Sequence, residues 1–134
     1  MQATEIPIKG FISKTLTLNL REDSILEVDF LPNQRIEAYD IDQMLRAVYK
    51  IGNGKKFKNL VAVGEGTWLD TQAMKLYCST EGSLHKTATA FVIENAGQRI
   101  VRKFLMTLMK PKNPTKFFAS KQQAENWLID VQEN

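Results

Sequence analysis

Three groups of residues in this chain have types and spacing that could do chemistry. The first is Asp70-Thr71-Gln72, inside "TWLDTQAMKLY" at 67–77, where the apparent end of a strand runs into a helical pattern. A hydroxyl at such a joint could accept a phosphate. An Asp or Thr there could equally cap the helix by accepting hydrogen bonds from its unpaired N–H groups. The second is Cys78 with His85, a thiol and an imidazole that would make a nucleophile and its base if they met. Cys78 falls on the inner side of its predicted helix, where cysteines act as small hydrophobes, and His85, after "EGSL", reads as a surface or boundary residue. The third is "GNGKKF" at 52–57, which lacks the spacing of a phosphate-binding loop and follows a helix instead of a strand. It reads as a helix stop with exposed lysines. Asp40 with Asp42, and Glu22 with Asp23, sit at a helix start and a hairpin turn, where dipole and turn chemistry account for acids. One His and one Cys leave no metal-ligand set. No catalytic residue, cofactor-binding residue or metal ligand is assigned, no cofactor is expected, and the chain is read as non-enzymatic.

The elements that must position the joint follow from periodicity. "TLTLNL" (15–20) and "ILEVDF" (25–30) alternate apolar and polar residues, and the polar link "REDS" makes them an antiparallel hairpin. After a turn at Pro32 and Asn33, the residues Ile41, Met44, Leu45, Val48 and Tyr49 recur at helical spacing until "GNG" stops them. "FKNLVAVGEG" (57–66) carries a buried strand, and "DTQAMKLYCS" (70–79) a short helix with Met74, Tyr77 and Cys78 inward. "KTATAFVIEN" (86–95) is a strand whose small Ala and Thr side chains let a helix approach closely. A long amphipathic helix over 96–110 ends at Pro111 and Pro114; "PTKFFAS" gives a last strand, and 120–131 a last helix with Ala124, Trp127, Leu128 and Val131 inward. The order β-β-α-β-α-β-α-β-α predicts an α/β fold: a mixed, largely parallel sheet of four to five strands covered by about four helices. Residues 1–134 read as one domain, with 1–12 as a partly ordered lead-in.

Composition bounds the setting. At 134 residues, 43% hydrophobic and 25% charged, the chain can bury a real core without disulfides or metal. A single cysteine suits a reducing cytoplasm, the start shows no signal-peptide pattern, and no apolar run approaches the roughly 20 residues that span a bilayer. Net charge is +3, but residues 95–124 hold Arg99, Arg102, Lys103, Lys110, Lys112, Lys116 and Lys121 and no acid. Arg99, Arg102 and Lys103 could therefore face an anionic partner, or simply solvate a helix. Nucleic acid is a weak fit, because the basic stretch shows no aromatic ladder or reading motif.

Several strings, taken in order, resemble a family. "LREDSILEVDF" at the front, then "TATAFVI", "RKFLMTLMKP", "PTKFF" and "AENWL", make the chain similar over roughly residues 15–132 to STAS-like proteins. These are the relatives of bacterial anti-sigma-factor antagonists and of the cytoplasmic domains of sulfate transporters; the chain looks most like an uncharacterised single-domain bacterial subgroup. The resemblance implies a helix-covered sheet and a role in protein–protein regulation, with a homodimer as the expected assembly. In the antagonists an Asp-Ser-Ser-Gly or Asp-Ser-Thr-Gly motif at the strand-to-helix joint takes phosphate on its second hydroxyl. Here Asp70 falls on the Asp and Thr71 on the first hydroxyl, while Gln72, which cannot be phosphorylated, falls on the acceptor and Ala73 on the Gly. The function expected is a regulatory or scaffold protein without an intact phospho-acceptor motif. The alternative is a carrier or sensor of a small apolar or anionic ligand, held between Met74, Tyr77, Phe104 and Met109.

Overall fold

A computed structural model of the chain describes residues 10–79, 82, 84–93, 102–103, 106–107 and 113–131. In chain order the elements are β1 (Gly10–Ile12), β2 (Leu16–Leu20), β3 (Ile25–Phe30), β4 (Arg35–Ile36), α1 (Ala38–Gly52) and β5 (Phe57–Val63). They continue with β6 (Trp68–Leu69), α2 (Thr71–Tyr77), β7 (Lys86–Val92), β8 (Thr115–Phe118) and α3 (Lys121–Asp130). One sheet runs β1-β2-β3-β5-β7-β8, and β4 and β6 form a separate two-stranded pair. The β1–β2 and β2–β3 pairs are antiparallel; β3–β5, β5–β7 and β7–β8 are parallel.

The mixed, largely parallel sheet predicted from the alternation is therefore present, with six strands instead of four to five. The extra strand is β1, the end of the segment read as a lead-in. Three residues are too few to show a period, and Gly10–Ile12 is a strand because it pairs with Thr17–Asn19 of β2. Three helices are described where the pattern predicts four. Most of the predicted helix at 96–110 lies outside the described residues, among them Arg99, Phe104 and Met109; Arg102, Lys103, Met106 and Thr107 are helical.

Each face of the sheet has its own core. Leu16, Leu18, Leu26, Val28 and Phe30 of the hairpin share one face with Val61, Val63 and Phe91, under Ile41, Met44 and Val48 of α1 and Ala73, Met74 and Tyr77 of α2. Ile25, Leu60, Ala88, Ala90 and Val92 line the other face beneath Ala124 and Leu128 of α3, and the alanines of β7 allow that close seat. The apolar stripe of α1 runs Ile41, Met44, Val48, Gly52, so Tyr49, one residue round from Val48, faces outward at 72% exposure instead of inward. Gly52 is required there: a Cβ would lie 2.3 Å from the Phe57 ring. Cys78, Trp127 and Val131 are half-buried at the margins of their stripes.

Candidate functional site

The joint is built by two loops that lock each other. Leu31–Gln34 leaves the C-terminal end of β3 and Gly64–Thr67 leaves that of β5, the neighbouring parallel strand. The buried Thr67 hydroxyl donates to the Leu31 carbonyl and accepts from the Gln34 N–H at 3.0 Å. The Asn33 N–H donates to the Glu65 carbonyl at 2.9 Å, and the Gly64 N–H to that of Phe30 at 2.7 Å. The clasp brings β4 beside β6 in parallel, Arg35 opposite Trp68 and Ile36 opposite Leu69, and delivers the chain to α2.

Asp70 is the N-cap of α2. Its Oδ1 accepts from the Ala73 N–H at 2.9 Å, while its Oδ2 lies 3.4 Å from the Arg35 guanidinium. Arg35 also approaches Glu37 at 3.8 Å and lies 5.4 Å from the centroid of the Trp68 ring, which is half exposed. Thr71 and Gln72 are exposed on the first turn, and Ala73, at the position of the motif's Gly, is fully buried. The structure thus brings Asp70, Thr71 and Gln72 together at one helix start, with Asp70 as the cap. Pairing of Arg35 and Trp68 with this joint comes from the β4–β6 register. That contact is long-range, and neither two-residue strand carries a period that could announce it.

The basic residues sit elsewhere. Arg102 and Lys103 are exposed, and the Arg102 guanidinium lies 5.3 Å from the Phe117 ring centroid on β8. Lys121 is 3.4 Å from Glu27, part of a network that also ties Arg21 to Asp23, Glu27 and Glu125. Arg99 is outside the described residues.

A second polar cluster lies at the N-terminal ends of β5 and β7. The β5–β7 register shifts by one residue, pairing Phe57 with Lys86 but Lys58 with Ala88. Strict alternation would put Lys86 on the α3 face with Ala88. The irregularity instead turns it to the α2 face, where Nζ lies 3.8 Å from the centroid of the Tyr77 ring. Burial lowers the Lys86 pKa to about 8 against a smaller upward pull from Cys78. Burial likewise, helped by Lys86, lowers that of His85 to about 3, leaving a neutral imidazole. The Tyr77 hydroxyl and His85 Nε2 are buried without hydrogen-bond partners among the described residues. Burial pushes the Cys78 thiol up, with Lys86 opposing, which is the wrong direction for a nucleophile. His85 is thus a buried residue, not a surface one, and no hydrogen bond from its Nε2 makes a Cys78–His85 pair.

Among the described residues no helix is long and apolar enough to cross a membrane. No curated protein matches the chain. A solved structure similar to it is an uncharacterized protein of the DUF3478 family with a SpoIIAA-like fold from Shewanella loihica PV-4. The two are 16% identical with a TM-score of 0.60, over 88% of this chain and 99% of that one. The fold here is accordingly SpoIIAA-like, the STAS-like arrangement that the ordered strings imply. The model of the family described as "Domain of unknown function (DUF7793)" matches residues 18–132, and the chain belongs to that family.

Proposed function

We propose that the protein does no chemistry of its own and acts as a regulatory or scaffold protein through protein–protein recognition, with a second copy of itself as one partner. The observation that carries this reading is the joint. Gln72 stands exposed where the STAS-like motif places its accepting hydroxyl, and Asp70 is committed to the Ala73 N–H and to Arg35. What the joint offers a partner is a shaped surface: a half-exposed Trp68 backed by Arg35, beside Gln72. Large aromatic and Arg side chains of this kind anchor interfaces. Arg99, Arg102 and Lys103 are the second proposed contact area, for an acidic partner, and a reducing cytoplasm is the proposed compartment. The direct test is incubation with ATP and a kinase-type anti-sigma factor, followed by intact mass measurement. No phosphate should be gained; a phosphate that disappears in Thr71→Ala would establish a displaced switch and overturn the reading.

A second reading, carriage or sensing of a small apolar or anionic ligand, is favoured by one observation. A cleft of about 910 Å³ lies against the C-terminal half of α1. It is not the place expected from sequence, since Met74 and Tyr77 are packed into the core.

A further inference from the structure

The cleft lies at the opposite end of β5 from the joint, between the last three turns of α1, the Asn53–Lys55 turn and Leu84–His85. Two large apolar side chains on its wall, Tyr49 and Leu84, are 72% and 61% exposed. Apolar side chains lining a concavity, with a few polar groups among them, are the usual walls of a small-molecule site. Gly54, at φ 79°, packs beside the Tyr49 ring, with its backbone in the left-handed region. A side chain at this position would be strained by that backbone conformation.

The charge around the cleft selects its occupant. Arg46 is paired with Asp42 at 2.9 Å, so these two residues largely cancel. Lys50 and Lys55 also line the cleft, are exposed, and make no ion pair among the described residues. The last four carbonyls of α1 would ordinarily repel an anion, but three of them, those of Tyr49, Lys50 and Gly52, already accept from Gly54, Asn53 and Lys55 at 3.0, 3.4 and 3.0 Å. His85 adds a neutral imidazole to the lining and is only 9% exposed. The volume falls in the range of small-molecule sites, roughly 300–1,000 Å³.

We propose that this cleft binds a small organic anion with a flat apolar body, its acid group held by Lys50 and Lys55 and its body lying against Tyr49 and Leu84 beside His85. The inference rests on the ligand-binding reading and is independent of recognition at Trp68. Its test uses anilinonaphthalene sulfonate, an aromatic body with one anionic group, and its uncharged counterpart phenylnaphthylamine. The wild-type chain should bind the sulfonate saturably at one site, perturbing the NMR signals of Tyr49, Leu84 and His85. Lys50→Glu with Lys55→Glu, both on exposed side chains, should weaken that binding about tenfold or more, and the uncharged probe should bind about tenfold more weakly than the sulfonate. Trp68→Ala should leave it unchanged. Absence of saturable binding, binding indifferent to the charge reversal, or perturbed signals confined to other parts of the chain would each overturn the proposal.

Discussion

Lys86 sits in an environment that its type does not prefer. A lysine 5% exposed, over an aromatic ring and with no acid paired to it among the described residues, is held in its charged form at a cost. Its pKa is lowered from 10.5 to about 8, so between those values the unfolded chain binds a proton that the native chain does not. Stability therefore rises with pH across that window. Cys78 and Tyr77, both shifted upward by burial, pull the other way above about pH 9. The difference between wild type and Lys86→Met, followed by urea unfolding from pH 7 to 10, isolates the lysine. Lys86→Met should be the more stable at pH 7 by roughly 1–3 kcal/mol, an advantage that shrinks as pH rises. His85 gives the acid-side counterpart. With its pKa lowered from 6.5 to about 3, the unfolded chain takes up the proton first, and stability is lost as pH falls between them. His85→Leu should flatten that loss in the same measurement. At the joint, Asp70→Ala removes the hydrogen bond to the Ala73 N–H and should cost about 1 kcal/mol, seen as a lower urea midpoint.

Among the elements, the two clasped loops carry the most specific constraint. A Cβ on Gly64 would lie 2.5 Å from the Pro32 nitrogen and 2.7 Å from the Leu31 carbonyl carbon, both backbone atoms that cannot swing aside. Gly64→Ala should therefore push the loops apart and cost about 1–3 kcal/mol, with the loss measured by thermal unfolding. Much of this architecture was legible in sequence. Alternation gave β2 and β3 with their inward residues, the small residues of β7 foretold a closely seated helix, and "GNG" marked the stop of α1. What escaped was set by pairing instead of by period. β1, β4 and β6 are two or three residues long and exist because of partners distant in sequence. Tyr49 fits the helical spacing yet faces outward, because one step round a helix separates an inward from an outward residue. Buried Lys86 was invisible because the shifted register turns it, and no residue type announces that shift. At the candidate site, Asp70, Thr71 and Gln72 were legible from the strand-to-helix transition. Arg35 and Trp68, which give the joint its surface, were not.

The whole molecule is a three-layer scaffold, α1 and α2 over one face of the sheet and α3 over the other, with two distinct surfaces at opposite ends of β5. The joint end presents Trp68 and Arg35, and the cleft end presents Tyr49, Lys50 and Lys55. Self-association through the joint would bury an aromatic side chain now half in water, a favourable change of roughly 25 cal/mol for each Å² of apolar surface covered. Sedimentation velocity from low micromolar to near-millimolar concentration, on the wild-type chain and on Trp68→Ala, tests this claim most directly. The wild type should form a concentration-dependent dimer, and Trp68→Ala should be a monomer with the same fold by circular dichroism. A wild-type chain that stays monomeric throughout, or a dimer untouched by the substitution, would contradict it.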